Sequence, residues 1–174
     1  MNRVVVRESA AGIARYLLAT VPDVSGRGVV VANDARHRSA MFANDCAEVI
    51  ADHGIRVILG GSPLPTPVGV FAIRATGAAA GIVVTASHNP PHDNGYKVYF
   101  ADGAGIIDPG ATRLSETIAA QPPAAAALPA DQQGTVTRLG PEIGAAYTTR
   151  LKDVILQPDL LRAAKSLKVV YTAL

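Results

Sequence analysis

Three short apolar runs constrain this chain most: GVVVA at residues 28–32, IRVIL at 55–59 and GIVVT at 81–85. They are rich in β-branched residues, and the segments between them carry helical periodicity, so each reads as a buried strand. Residues 3–20 are predicted to form a helix whose apolar face holds Val6, Ile13, Leu17 and Leu18. Ser39 is placed to cap a second helix reaching about His53, with Met41, Phe42, Cys46, Val49 and Ile50 on one side. Thr66 is placed to cap a third helix through Arg74, with Pro67 at its first position. Helix–strand alternation of this kind argues a mostly parallel sheet covered by helices on both faces. YKVYF at 96–100 reads as a fourth strand. Only about ten residues separate it from the third, too few for a helical crossover, so it is expected to run antiparallel. The expected fold is therefore a three-layer α/β/α domain around a mixed four-stranded sheet.

Beyond Phe100 the pattern is less regular. Residues 109–120 and 142–156 read as helices, and QPPAAAALPADQQ between them reads as a flexible, low-complexity surface loop. SLKVVYTAL at the C-terminus begins like a further strand with no helix after it. The expected division is a first domain over residues 1–156, then a linker and the opening strand of a second domain over 157–174.

Bulk composition excludes some functions. With 16 basic and 14 acidic side chains in 174 residues, the net charge of +2 offers no basic cluster to a nucleic acid or an anionic membrane. No apolar run reaches the roughly 18–20 residues that span a bilayer. The N-terminus lacks the continuous apolar core of a signal peptide. The single cysteine, Cys46, cannot form an internal disulfide, which favours a reducing, cytoplasmic setting.

The chemistry concentrates in VVTASHNPPHDNGYKVYF, residues 83–100. Ligands of open α/β sheets gather at the carboxyl ends of the strands, and Ser87 falls just past such an end. Pro90 and Pro91 stiffen the loop by fixing φ, and Asn94-Gly95 can supply positive φ for a turn. Lys97 opens the returning strand, so a hydroxyl, an imidazole (His88), an amide (Asn89) and an ammonium can converge. Each also has an ordinary structural role open to it: a solvated serine, a histidine bonded to its own loop, a solvent-facing lysine. The pair His88 and His92 has helical metal-ligand spacing, but the prolines between them forbid a helix. Ser87 lacks the flanking glycines of the hydrolase elbow, and no P-loop signature occurs.

Thr85-Ala86-Ser87-His88-Asn89-Pro90-Pro91 followed by Asp93-Asn94-Gly95-Tyr96-Lys97 resembles the active-site loop of the α-D-phosphohexomutases, the phosphoglucomutase and phosphomannomutase superfamily. Residues 33–39, NDARHRS, are similar to the family's Gly-x-Asp-x-Arg-x-x-Ser, and Pro65-Thr66-Pro67 to its Pro-Thr-Pro connection. Val169-Val170-Tyr171-Thr172 resembles the first strand of its second domain.

The resemblance implies that Ser87 carries a phosphoryl group and exchanges it with a sugar monophosphate through a bisphosphate intermediate. Phosphate thereby moves between the 1- and 6-positions. It implies that His88 and Asn89 shape the phosphoserine loop, and that Lys97 supplies positive charge or helps move the proton of the attacking hydroxyl. It implies Mg2+ bound through the Ser87 phosphate, a glucose 1,6-bisphosphate-type activator, a phosphosugar substrate and the remaining mutase domains as partners. The family's Asp-Gly-Asp-x-Asp metal loop does not occur here, nor does its opening Gly-Thr-x-Gly-x-Arg-Gly segment. The expectation is thus a truncated first domain, lacking a first strand and inactive alone. The alternative is a non-catalytic phosphate- or partner-binding module on the same fold, marked by an exposed apolar patch. Asp-Asn-Gly-Tyr-Lys-Val-Tyr leans toward the phosphoglucomutase and phosphopentomutase branch, while the sugar itself is not readable.

Overall fold

The computed structural model describes residues 1–120 and 127–172. Helix α1 (Arg3–Thr20) begins where Asn2 accepts a hydrogen bond from the Val5 amide at 3.0 Å. Its buried stripe is Val6, Ala10, Ile13, Ala14 and Leu17, the spacing that one helical face requires. Leu18, expected on that face, is turned one position too far and is exposed. A short helix α2 (Val24–Arg27) leads into β1 (Val29–Asn33), then α3 (Ser39–Asp52), β2 (Val57–Gly60), α4 (Thr66–Thr76) and β3 (Ala80–Val84). Strand β4 (Tyr96–Phe100) and helix α5 (Gly110–Ala119) follow. After the undescribed residues come β5 (Val136–Leu139), α6 (Glu142–Leu151) and α7 (Pro158–Ala163).

The sheet has five strands in the order β4-β3-β1-β2-β5, not the four expected. Strands β3, β1, β2 and β5 are parallel, and β4 pairs antiparallel with β3, as its short connection required. Strand β5 escapes sequence reading because VTRL is four residues long, half polar and mostly exposed at the sheet edge. Gly134 makes its position possible: a Cβ there would collide with the Ile55 carbonyl as the chain comes alongside β2. The strand expected near the C-terminus is not formed over the described residues 168–172, which have no neighbouring strand to pair with.

Alternate sheet residues face two helix layers. Val29, Val31, Val57, Leu59, Ile82 and Val84 pack with residues of α1, α3 and α5, while Val30 and Ile58 pack with residues of α4 and α6. Each fully buried Val, Leu or Ile in these layers is worth roughly 1.5–3 kcal/mol. On the first face, Arg3 donates through Nε and Nη2 to Asp45 at 2.8 and 2.6 Å, tying α1 to α3. Asp45 is only 1% exposed, and the Arg3 hydrogen bonds hold its carboxyl below the usual range.

Several caps depart from expectation. Arg38, in the left-handed conformation, occupies the cap position of α3, and Ser39 lies inside the first turn. Met41 is exposed rather than on the buried side. Pro65 precedes α4, so Pro67 is its second residue, and the helix runs past Arg74 to Gly77 at φ 70°. Helix α6 is shorter than expected and passes into a 3-10 turn at Lys152–Val154. The flexible loop expected at QPPAAAALPADQQ falls partly on residues 121–126, outside the described residues; Ala130–Gln132 form a 3-10 turn. Cys46 is a buried free thiol whose pKa burial pushes up to about 12, which makes it a poor nucleophile.

Candidate active site

The site grows from the register of the two central strands. Strands β1 and β3 are paired so that Asn33 faces Val84, and the Asp34 amide donates to the Val84 carbonyl at 3.2 Å. The residues just beyond, Asp34 and Thr85, therefore meet at the carboxyl edge of the sheet. The Thr85 hydroxyl accepts from the Ser87 amide at 3.0 Å, and the Thr85 amide donates to the Gly95 carbonyl at 3.0 Å, closing the loop at its base. Inside it, the Asn89 amide donates to the Ala86 carbonyl and the Asp93 amide to the Pro90 carbonyl.

Ser87 stands three residues beyond β3, exposed, at φ +56°. A left-handed serine costs roughly 1–2 kcal/mol, so the surroundings must over-determine it. Neither Asn94 nor Gly95 adopts the positive φ expected of them. The demand on Gly95 is one of space, since a Cβ there would come within 3.1 Å of the Thr85 carbonyl oxygen.

What holds the loop is Arg36, from the β1–α3 connection. Its Nη2 donates to the carbonyls of Ser87 at 2.5 Å and Asn89 at 2.8 Å. Its Nη1 donates to those of Pro90 at 2.5 Å and Asp93 at 3.5 Å, while Nε lies 3.0 Å from Asp34 Oδ2. Asp34 Oδ1 accepts from the Arg36 amide at 3.1 Å and from Ser39 Oγ at 2.7 Å. Ser39 Oγ also lies 2.8 Å from Asn94 Oδ1, and Asn94 Nδ2 donates to the His37 carbonyl. Partial burial alone would raise the Asp34 pKa. Hydrogen bonds from Thr85, Ser39 and the Arg36 amide, with the guanidinium charge, outweigh it and hold the carboxyl below the usual range.

The four residues singled out by sequence are brought together unequally. Ser87 Oγ and His88 Nδ1 are 3.4 Å apart, and the ring tautomer decides which donates. Asn89 contributes its backbone to the Arg36 clamp. Lys97 lies in β4 opposite Val83, and its ammonium has no hydrogen bond or ion pair to Ser87 or His88. Asp34, Arg36, Ser39 and Thr85 fall in segments that resemble the family's motifs, but the sequence alone gives them no role in the site. The available signal is Asp-x-Arg-x-x-Ser, a short acid, base and hydroxyl series directly after a buried strand. Beside the loop opens a crevice of ≈ 520 Å³ lined by Met1, His37, Arg38, Phe42, His92 and Asn94. Its imidazoles and guanidinium make it hospitable to anions.

Chemically, the loop presents one exposed hydroxyl beside an imidazole on a fixed backbone. That suits it to accept a transferable group. Among the described residues no group of three or more His, Cys, Asp or Glu side chains converges on a metal position. The donor set that Mg2+ prefers, several carboxylate or phosphate oxygens, is not met by a hydroxyl and an imidazole.

Comparison with known proteins assigns the family. Residues 1–124 match the family model described as phosphoglucomutase/phosphomannomutase, alpha/beta/alpha domain I. The chain is 39% identical to a Haemophilus influenzae protein named "Probable phosphomannomutase", over all of this chain and 35% of that protein. It is 43% identical to a Schizosaccharomyces pombe protein named "Probable phosphoribomutase", over 63% of this chain and 19% of that one. A crystal structure from Thermus thermophilus, described as a candidate phosphomannomutase, superposes with a TM-score of 0.73 at 31% identity, covering 88% of this chain and 32% of that chain. The chain thus spans about a third or less of the lengths of these relatives. With its five-stranded sheet, its two helix layers and the Ser87 loop between β3 and β4, the chain belongs to the phosphoglucomutase/phosphomannomutase family through that family's α/β/α domain I.

Proposed function

We propose that this chain is the phosphoserine-bearing domain of a phosphosugar mutase that moves phosphate between the 1- and 6-positions of a hexose phosphate. The observation that carries this reading is the exposed, left-handed Ser87 on a loop fixed by Arg36 and closed onto the sheet edge. Ser87 Oγ takes a phosphoryl group from a sugar bisphosphate: the Oγ–P bond forms, the P–O bond to the sugar breaks, and the serine proton passes to the departing sugar oxygen. The preceding half-reaction makes that bisphosphate: the free hydroxyl of a sugar monophosphate takes the phosphoryl group from Ser87. The new sugar O–P bond forms as the Oγ–P bond breaks, and the hydroxyl proton returns to Oγ, so the two transfers together move the phosphate. His88, 3.4 Å from Oγ, orients the hydroxyl, and Asn89 shapes the loop. Lys97 supplies positive charge from β4 to the transferred phosphate. A glucose 1,6-bisphosphate-type activator loads the serine. The resemblance also implies Mg2+, whose site the described residues do not form.

Residues 1–156 form the first domain in this reading, and 157–174 lead into a second. Exposed Val154, Leu156, Leu160, Leu161, Val169 and Val170 support a partnership with the remaining mutase domains. A cytoplasmic setting is supported by the free, buried Cys46. Alone, the chain is expected to show negligible turnover in a coupled mutase assay, because one loop cannot orient both sugar hydroxyls. The same exposed apolar stretch favours a second reading, a non-catalytic binding module. Intact-mass measurement separates the two after incubation with glucose 1,6-bisphosphate, with and without magnesium chloride. An added phosphoryl group that Ser87→Ala abolishes supports the carrier; an unmodified wild-type chain refutes it.

A further inference from the structure

We propose that Arg36 is the positioning residue for Ser87, acting through the loop backbone and not on the phosphoryl group itself. This rests on the reading of Ser87 as a phosphoryl carrier. A guanidinium has five N–H donors in a fixed planar fork. The four on the Nη nitrogens are taken, two on Nη2 by the carbonyls of Ser87 and Asn89 and two on Nη1 by those of Pro90 and Asp93, while Nε lies 3.0 Å from Asp34 Oδ2 as an ion pair. No Nη donor is left for a phosphate oxygen, and the side chain is only 12% exposed.

The carbonyl bonded by Nη2 is that of Ser87 itself, so the clamp acts on the peptide plane that follows the strained φ of +56°. On its other side the Ser87 amide is fixed by Thr85 Oγ1, which accepts from it at 3.0 Å. The serine's backbone is thus held on both sides, its amide by Thr85 and its carbonyl by Arg36. Turning four carbonyl oxygens inward onto the guanidinium also removes them from the surface a phosphoryl group approaches, where their partial negative charge would repel it. Lysine cannot substitute: its ammonium has three donors and no planar fork.

The test is single-turnover phosphorylation of Ser87 by glucose 1,6-bisphosphate in the full chain, comparing wild type, Arg36→Ala and Arg36→Lys. The maximal rate of Arg36→Ala is expected to fall about 100-fold, the scale of a small misplacement of a reacting atom. The half-saturating concentration should change less than about threefold, because Arg36 does not touch the sugar phosphate. Added guanidinium ion should restore part of the rate to Arg36→Ala and none to Arg36→Lys. Circular dichroism checks folding, and Arg36→Lys carries the test where the alanine variant does not fold. Wild-type maximal rates in a folded variant, or a loss confined to the half-saturating concentration, overturn the positioning role alone. A wild-type chain that takes no label removes the carrier reading, and the positioning role with it.

Discussion

The loop of residues 85–95 and the segment of residues 152–172 are both largely solvent-exposed, yet they are built in opposite ways. The loop has little apolar burial beyond Thr85 at its base, but its backbone is fixed by Arg36, Asp34 and Thr85. The segment is rich in apolar residues, with Val170 97% exposed and Leu156 89%, and it buries none of them. Its short helix α7 is decorated by an i,i+3 pair, Arg162 with Asp159 at 2.5 Å, of a kind worth little at the surface. The two regions are thus held in different ways: polar side chains fix the loop's backbone to the sheet edge, while the segment has local backbone hydrogen bonds and buries no apolar side chain. The loop spends polar side chains to hold one strained serine.

That contrast can be broken most sharply at Asp34. Asp34→Ala removes the counter-charge of Arg36 and the acceptor of Ser39 and the Arg36 amide, leaving a mostly buried guanidinium short of a partner. The expected loss is about 2–3 kcal/mol in urea denaturation, below the range for fully buried pairs because the site is partly solvated. Asp34 also gives the loop a pH dependence. Its folded pKa lies below 3.8, the ordinary value for an aspartate, so its contribution is complete above about pH 4 and is lost as pH falls through the folded value. Asp45 acts with the same sign through Arg3. Asp34→Asn should flatten the acid side of the stability curve, while titration above about pH 5 should look like wild type.

A smaller effect of opposite sign is expected at the serine. Ser87→Gly relieves the left-handed strain and should stabilise the fold by about 0.5–1 kcal/mol, while abolishing phosphoryl labelling. The smallest effect belongs to the other region: ending the chain after Leu151 should shift stability by less than about 0.5 kcal/mol, because the segment buries no side chain. A larger loss would show that residues 152–172 hold the domain together.

Most of the fold is legible in the sequence because three continuous apolar strands and their helices have strong periodic signals. β1, β2, β3 and β4 lie where those runs place them, and the short β3–β4 connection gives away the antiparallel edge. β5 is not legible, because VTRL takes its strand character from the open edge of β2 and not from its own composition. The site is half legible. Ser87 and His88 stand out as reactive types in a stiff loop, and the structure places them side by side. Arg36 lies in a motif the sequence shows, but its role does not show there, since that role depends on carbonyls more than fifty positions away that converge only in the folded chain. The expected turn glycine misleads for a related reason: the positive φ sits on Ser87, where Arg36 and Thr85 hold it.

Amide hydrogen exchange on the free chain tests most directly the claim that the reactive loop is already fixed before any ligand arrives. Peptides covering residues 85–95 are predicted to exchange at least about tenfold more slowly, relative to free-peptide rates, than those covering 152–172, a local opening cost of about 1.4 kcal/mol or more. Exchange at free-peptide rates in both regions would contradict the account.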